Sequence, residues 1–304
     1  MAESSMDQSV AWIDGKIQRF QEAALPLSDL GVVAGAAVTE LARTFAHQPF
    51  RLKDHIARLT ESCTELGFPQ VFSASALYEA ALEVTEKNGG LIRPESDLGI
   101  VMFITAGVHP TYLHGNHGKA GTTAVHTFEL PFGMWKQSLA EGVSLNFTSV
   151  RQIPEQCLPV HRKVRNRLHW WLADREAGQI ERGSRALLLD QSNHVTETST
   201  SCFYAVINGE IVTPNQHVLD SMTRRVVEQL AGSLGLRFRK GPIHVDDLQS
   251  VEEAFLSSTP VCLLPVSRIN GVPIKSGVPG PMFRQLSQAW NELVGLDIGA
   301  QIRR

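Results

Sequence analysis

The chain contains no long apolar run and no basic tract. Its hydrophobic segments fall well short of the roughly 20 residues that a membrane-spanning helix needs. Residues 1–7 carry neither the basic nor the apolar part of a secretory signal, so we expect none. The formal net charge is only −3. We therefore expect neither nucleic acid nor a membrane surface as a partner.

Cysteine is also scarce, and its positions show no paired spacing: Cys63, Cys157, Cys202 and Cys262. This pattern is typical of reduced thiols in a cytoplasmic protein, not of a disulfide framework or a zinc site. His109, His114 and His117 have no carboxylate or cysteine cluster nearby, so we expect no metal site. Walker loops, dinucleotide fingerprints and Gly-x-Ser-x-Gly elbows are missing as well.

The 304 residues, with 43% apolar and 19% charged side chains, allow two globular domains. The first half predicts a hairpin over 10–17, a helix capped by Asp54, a second helix ending at 88–90 and a buried strand over 99–105. Pro131 and Gly133 then interrupt the alternation of predicted strands and helices. We predict a smaller N-terminal α/β domain over 1–128, an interdomain loop over 129–135 and a larger C-terminal domain over 136–304.

The second half alternates strands and helices, which predicts a mixed sheet. Strands are predicted over 143–148, 186–190, 202–207, 211–212, 253–257 and 261–266. Helices are predicted over 168–177, over 222–234 with Gly235 as its stop, and after Gly280 with Pro281 in the first turn. The fold class is therefore mixed α/β.

Lys163 lies between the strand predicted at 143–148 and the helix that follows. Arg162, Arg165 and Arg167 flank it, and like-charge repulsion from them is expected to lower the pKa of its amine. An amine with a lowered pKa can form an imine with an aldehyde at neutral pH. The alternative interpretation is an ordinary surface lysine.

Glu197 lies in a strand-like run that is rich in small hydroxyl residues, 195–201. An acid at the edge of a threonine-rich strand is one interpretation, because threonine favours strands. The other is a buried carboxylate that keeps a heterocyclic nitrogen protonated, so that the charge pair offsets the cost of burial.

Two hydroxyl-rich turns could bind a phosphate. Residues 220–223 open a helix whose N–H groups and dipole attract anions, and Thr223 adds a hydroxyl. Residues 257–259 form a second such turn before Pro260. Arg58 could add a guanidinium to the same phosphate. A plain helix cap and a solvated arginine remain the simpler alternatives.

Together these segments resemble the class IV, fold type IV pyridoxal-phosphate enzymes. That group includes branched-chain aminotransferases, D-amino-acid aminotransferases and aminodeoxychorismate lyases. The resemblance runs from about Trp12 to Leu286, and the segments that carry it keep the family's order and spacing: 49–59, 163–177, 195–199, 218–224, 255–259 and 265–266.

The resemblance implies a ping-pong transamination in which Lys163 holds pyridoxal 5'-phosphate as a Schiff base and then moves a proton. Glu197 is expected to keep the pyridine nitrogen protonated. The remaining cofactor contacts are implied for Arg58, Leu219, Met222, Thr223, Ser258 and Thr259. Family members are homodimers or larger, so we expect a homo-oligomer.

The departures from the family concern the substrate. Thr39 replaces a bulky aromatic residue, and Thr105-Ala106-Gly107 lacks the arginine of the D-amino-acid enzymes. Arg167 stands where branched-chain enzymes carry a tyrosine. It could bind the cofactor's phenolic oxygen or a substrate carboxylate, or it could face solvent. Our candidate substrate residues are Thr39, Arg167 and Pro260.

A branched-chain-like L-amino acid with 2-oxoglutarate as acceptor is the favoured substrate pair, because small apolar residues at 32–37 leave an uncharged pocket. A lyase that releases pyruvate from aminodeoxychorismate, a D-amino-acid transaminase and an amine transaminase are the alternatives. A non-catalytic relative is disfavoured because both Lys163 and Glu197 are present.

Overall fold

The computed structural model describes residues 8–113, 120–275 and 278–304. His114 and His117, and the start of the chain at 1–7, lie outside the described residues. The chain forms two compact units. The first contains 1–130 and 162–166, and the second contains 131–161 and 167–304.

The first unit is an antiparallel sheet with two helices against it. Its six strands follow the order β2-β1-β6-β5-β3-β4. The strands are β1 Val10–Ile13, β2 Lys16–Arg19, β3 Ala37–Phe45, β4 Gln48–Phe50, β5 Leu98–Thr105 and β6 Thr123–Glu129. The helices are the single turn α1 Leu30–Val33, followed by α2 Leu52–Leu66 and α3 Ala74–Gly89.

The core of this unit lies between the sheet and the α2 and α3 helices. Ile56, Leu59 and Cys63 recur at helical spacing on α2 and are buried against alternate residues of β3 and β5. The same face of β5 contributes Ile100 and Met102. The side chains of Thr39, Val101 and Ala124 lie on the opposite face of this sheet, and they are buried as well.

Residues 162–166 were expected in the C-terminal part of the chain, yet they pack with the first unit. Val164 forms an antiparallel bridge with Val38 on the edge of β3. The N–H of Thr39 donates to the Lys163 carbonyl, and the N–H of Arg165 donates to the Ala37 carbonyl, each at 2.8 Å. These edge hydrogen bonds, with Val164 packed on the core, explain the grouping.

The second unit is built on a nine-stranded mixed sheet. Its order is β12-β11-β10-β13-β14-β7-β8-β9, with β15 paired to β14 and β9 also paired to β10, so that six strands close a ring. The strands are β7 Val143–Asn146, β8 Arg185–Leu189, β9 Val195–Thr198, β10 Cys202–Ile207, β11 Glu210–Thr213, β12 Phe238–Lys240, β13 Glu253–Ser258, β14 Cys262–Ile269 and β15 Val272–Pro273.

The helices of the second unit are α4 Lys136–Glu141, α5 Leu168–Ile180, α6 Met222–Ser233, α7 Pro281–Val294 and α8 Ile298–Arg303. The predicted α6 and α7 are confirmed. Gly235 follows α6 with φ +66°, as its stop position requires. The sequence patterns did not predict α4 and α8, which are both only six residues long.

The capping role predicted for Asp54 is wrong. The α2 helix begins at Leu52, and Arg51 occupies the N-cap position with φ 51°. Asp54 lies in the first turn, 3.7 Å from an Arg51 nitrogen, where its charge favours the helix dipole. The predicted hairpin at 10–17 is confirmed, with Asp14 and Gly15 both at positive φ in its turn.

Across the described ranges, no helix is both long enough and apolar enough to cross a membrane.

Asn88 provides a test of how the first unit is held together. Its side chain accepts from the Val10 N–H and donates to the Val10 carbonyl and the Thr127 hydroxyl, each at 2.8 Å. Asn88→Ala leaves these buried groups unpaired, so we expect the free energy of unfolding to fall by about 1–3 kcal/mol.

Urea denaturation measures this change. Lys87→Ala is the matched control, because Lys87 is exposed and only 3.7 Å from Glu83 in a surface pair. We expect it to cost less than about 1 kcal/mol. Equal losses for the two variants would show that the Asn88 contacts do not hold β1 to α3.

Candidate cofactor and substrate site

Lys163 is held at a defined place on the first unit. The bridge between Val38 and Val164 places the Val164 side chain on the core face of the sheet. Successive side chains of an extended segment point to opposite faces. Lys163 and Arg165 therefore leave the segment on the other face, next to Thr39 and Ala37. Lys163 is half-buried there.

The arginines that flank Lys163 have contacts of their own. Arg162 pairs with Glu65, with Nε 2.7 Å from its carboxylate, and with Glu61 at 3.3 Å. The guanidinium of Arg165 lies 5.3 Å from the centre of the Phe103 ring. Since the charge of Arg162 is balanced by two acids, its repulsion of Lys163 is weaker than the sequence alone indicates.

Arg58 is buried in a network with Glu40 and His55. Its Nε and Nη2 atoms donate to the two oxygens of Glu40 at 2.5 and 2.7 Å. His55 Nδ1 lies 2.8 Å from the same carboxylate. Burial would raise the pKa of Glu40, but the charge of Arg58 and the hydrogen bonds from both partners outweigh it and lower that pKa to about 2.

His55 remains uncharged in this network. Burial lowers its pKa, and its hydrogen bond to Glu40 only partly opposes that effect. The charges of Arg58 and Lys163 lower the pKa of His55 further, which shows that Lys163 lies within electrostatic reach of the imidazole. Because a carboxylate can only accept, Nδ1 carries the proton of the neutral ring.

In the second unit, Glu197 lies on β9 and is 8% exposed. Its two oxygens accept from the Leu219 N–H at 3.2 and 3.3 Å. Cys202 faces it across the β9–β10 pair. The flanking Thr196 and Thr198 are fully buried. Glu197 is thus a fixed, buried carboxylate, not a solvated acid at a strand edge.

Arg167 is half-buried at the start of α5, not solvated along the helix. Its Nη2 donates to the Ser199 carbonyl in the turn after β9. Burial lowers the pKa of Arg167, and the carboxylates of Glu197 and Asp174 oppose that effect. Burial and the charge of Arg167 together lower the pKa of His169 to about 4. The Ser199 carbonyl that Arg167 contacts lies two residues after Glu197 along the chain.

The start of α6 is lined with hydroxyl groups. Ser221 is its N-cap, and its hydroxyl lies 2.9 Å from that of Thr223. Ser257, on β13, donates to the Thr223 hydroxyl at 3.0 Å and lies 2.9 Å from the hydroxyl of the buried Tyr204. The first N–H groups of a helix have no intrahelical acceptor. Together these donors form a polar cradle that suits an anion.

The second hydroxyl-rich turn follows directly from β13. Ser258 ends that strand, is 9% exposed and pairs with Cys262 across the hairpin. Thr259 and Pro260 form the turn and are half-buried. Because Ser257 bonds to Thr223, this hairpin and the start of α6 lie together in the second unit.

The predicted residues thus form two groups, each inside one unit. Thr39, Arg58 and Lys163 belong to the first unit, and the others belong to the second: Arg167, Glu197, Leu219, Met222, Thr223, Ser258, Thr259 and Pro260. Ser221 and Ser257 belong to the two hydroxyl-rich turns predicted from the sequence, whereas no role was predicted for Glu40 or His55. His55 and Arg58 lie three residues apart on one helix face, so a shared partner could have been expected.

Within the described ranges, no group of three or more His, Cys, Asp or Glu side chains could hold a metal ion. His109, the described member of the histidine cluster, accepts from the Thr111 N–H at 3.2 Å and acts as a cap.

Comparison with known proteins gives a consistent result. The family model described as Amino-transferase class IV matches residues 37–269. The chain is 27% identical to a D-alanine aminotransferase of Bacillus licheniformis over 278 residues, which cover 91% of this chain and 94% of that protein. It is 26% identical to a branched-chain-amino-acid aminotransferase of Salmonella typhimurium over 291 residues, covering 92% and 91%.

A solved structure gives the same answer for the fold. It is the branched-chain amino acid aminotransferase of T.th. with pyridoxamine 5'-phosphate. The TM-score is 0.83 at 26% identity, and the match covers 95% of each chain. The fold is therefore the predicted type, with a mixed α/β architecture.

The Glu40 network generates a prediction about acid stability. Glu40→Gln leaves the buried Arg58 without its counter-charge, so we expect the free energy of unfolding at pH 7 to fall by about 3–5 kcal/mol. Because the folded pKa of Glu40 lies below its ordinary value of 4.5, its contribution is present above pH 4.5 and is lost as the pH falls towards 2.

Denaturation at several pH values measures the effect. The stability difference between wild type and Glu40→Gln should shrink between pH 4.5 and pH 2. Glu83→Gln, in an exposed pair, is the control and should show little difference at any pH. A Glu40→Gln difference that stays constant down to pH 2 would contradict the depressed pKa.

Proposed function

Because the chain belongs to the class IV aminotransferases, we propose that it uses pyridoxal 5'-phosphate to move an amino group between an amino acid and a 2-oxo acid. The observation that carries this proposal is the pairing, within the second unit, of a buried carboxylate with a hydroxyl-lined helix start. Glu197 accepts from Leu219, and Thr223 lies in the first turn of α6, four residues later.

The residues of the second unit fit the cofactor's polar groups. A phosphate needs several N–H and O–H donors, which the first turn of α6, Thr223, Ser258 and Thr259 can supply. A protonated ring nitrogen needs a buried carboxylate as its partner, and Glu197 is a buried carboxyl group. The backbone N–H groups of Leu219 and Met222 would lie beside the bound cofactor.

Lys163 would hold the cofactor through its Nζ. When bound, the cofactor withdraws electrons from the substrate's Cα. Lys163 would then take the proton from Cα and return it, as a base and an acid. Its place beside the edge of β3 limits its freedom, because the hydrogen bonds from the Thr39 and Arg165 N–H groups fix the backbone on both sides.

Arg58 would bind the phosphate, and Glu40 would hold its guanidinium in place. Two of its three nitrogens already donate to Glu40, so the side chain has a fixed orientation without a ligand. Arg167 would bind either the phenolic oxygen or a substrate carboxylate. Its contact with Ser199, two residues after Glu197, supports a role at the cofactor.

The proposed donor is a branched-chain-like L-amino acid, and the proposed acceptor is 2-oxoglutarate. The apolar side chains of Val32 and Val33 on α1, with Thr39 in place of a bulky residue, support an uncharged pocket. A D-amino-acid or amine transaminase, and a lyase that releases pyruvate from aminodeoxychorismate, are the alternatives that substrate assays separate.

The chain would assemble as a homodimer or larger. Helix α5 supports this proposal because it exposes apolar side chains on one face: Leu168, Trp171 and Leu172. Light scattering of the purified protein measures the assembly. A cytoplasmic location stays a prediction from the cysteine pattern.

The central prediction is spectroscopic. Purified protein with added cofactor should be yellow, an L-amino acid panel should bleach the band, and 2-oxoglutarate should restore it. Lys163→Ala should abolish bleaching, whereas Lys87→Ala, an exposed lysine paired with Glu83, should not. Bleaching without restoration, or pyruvate from aminodeoxychorismate, would favour the lyase. A colourless wild-type protein would contradict the proposal.

Arg167 has a separate prediction. If its guanidinium contacts the cofactor or the substrate, Arg167→Ala should shift the cofactor's absorption band or raise the Michaelis constant for the amino acid by about tenfold or more. Because the charge of Arg167 helps to lower the pKa of His169, that pKa should also rise. An unchanged spectrum and an unchanged Michaelis constant would exclude both roles.

A further inference from the structure

Arg165 leaves the chain on the same side as Lys163. The two residues flank Val164, whose side chain packs on the core of the first unit. Thr39 donates its N–H to the Lys163 carbonyl, and Arg165 donates its N–H to the Ala37 carbonyl. This pairing places both side chains on the face of β3 that points away from α2 and α3.

The same face carries a mostly apolar surface with one imidazole. Phe103 of β5 pairs with Thr39 of β3 and with Ala124 of β6, so their side chains share this face. Val101 pairs with His126 on the next register step. An apolar surface with a few polar groups is the usual wall of a small-molecule site.

The guanidinium of Arg165 lies over this surface. Its central carbon is 5.3 Å from the centre of the Phe103 ring. Burial lowers the pKa of His126, and the charge of Arg165 lowers it further. His126 Nδ1 is buried and, among the described residues, has no hydrogen-bond partner. The imidazole is therefore neutral, and Arg165 brings a positive charge to this face.

Two other arginines near Lys163 pair with carboxylates. Arg58 is bidentate with Glu40, and Arg162 pairs with Glu61 and Glu65. Arg165 is exposed, so a ligand can reach it.

We propose that Arg165 binds the carboxylate of the substrate and so makes amino acids, not simple amines, the substrate class. This inference rests on the proposed function, since it takes Lys163 as the residue that meets the substrate's amino group. Val164 alone separates the two residues along the chain, and an α-amino acid carries its two polar groups on one carbon. A planar guanidinium can donate two parallel hydrogen bonds to a carboxylate.

The test is equilibrium binding of a carboxylate that cannot react. We would titrate 4-methylpentanoate into the cofactor-loaded protein by calorimetry. Arg165→Gln should weaken binding about 10- to 100-fold, and Arg165→Lys should recover part of the loss. The uncharged 4-methylpentanamide should bind wild type and Arg165→Gln alike. Arg175→Gln is the matched control, since Arg175 also lies over a ring, that of Trp171, in the second unit.

Kinetics provide the second readout. Arg165→Gln should lower kcat/KM for leucine about 10- to 100-fold and leave that for 3-methylbutylamine, which is leucine without its carboxylate, unchanged. An equal fall for both donors would indicate a structural role and overturn the inference. Equal 4-methylpentanoate affinity in wild type and Arg165→Gln, or no binding to wild type, would overturn it as well.

The pKa of His126 provides a check on the position of the Arg165 charge that does not depend on turnover. The pKa of His126, followed by NMR, should rise in Arg165→Gln and change little in Arg165→Lys. Failure of the proposed function looks different, because it appears as a protein without the cofactor's absorption band. Calorimetry on that same protein still reports whether carboxylate binding depends on Arg165.

Discussion

The edge of β3 is the constraint on which the rest of this structure depends. Two backbone hydrogen bonds and one packed valine hold residues 162–166 against that edge, although the segments on either side of them belong to the second unit. The backbone that carries the Lys163 amine is thereby hydrogen-bonded to the edge of a sheet. The same backbone pairing places the side chains of Lys163 and Arg165 on one face of the sheet.

The two units differ in how their buried polar side chains are hydrogen-bonded. In the first unit a carboxylate, a guanidinium and a neutral imidazole satisfy one another, and the low pKa of Glu40 records how strongly the ionised form is favoured. In the second unit, the hydroxyls of Tyr204, Ser257, Thr223 and Ser221 form a hydrogen-bonded chain. Glu197 in the same unit is a buried carboxyl group that accepts from the Leu219 N–H. The first arrangement fixes a cation in place, whereas the second offers donors to an incoming anion.

Much of the fold could be predicted from the sequence because its signals are local. The Asp14-Gly15 turn, the apolar stripe of α2 and the glycine after α6 each depend on neighbouring residues alone. Strand β3 could not be found this way. It is buried on both faces while carrying Glu40, Arg43 and Thr44, so it shows no alternation of polar and apolar residues. Its polar side chains have partners far along the chain, which no local pattern reveals.

For the candidate site as well, some residues could be predicted from the sequence and others only from the structure. Resemblance to a family identified Lys163 and Glu197, but it left the roles of Glu40 and Arg165 unassigned, since these follow from strand register. The most direct test of the account is to load the protein with pyridoxal 5'-phosphate, reduce it with borohydride and map the modified peptide. Label on Lys163 alone is the predicted result, and label on another lysine, or none, would contradict the account.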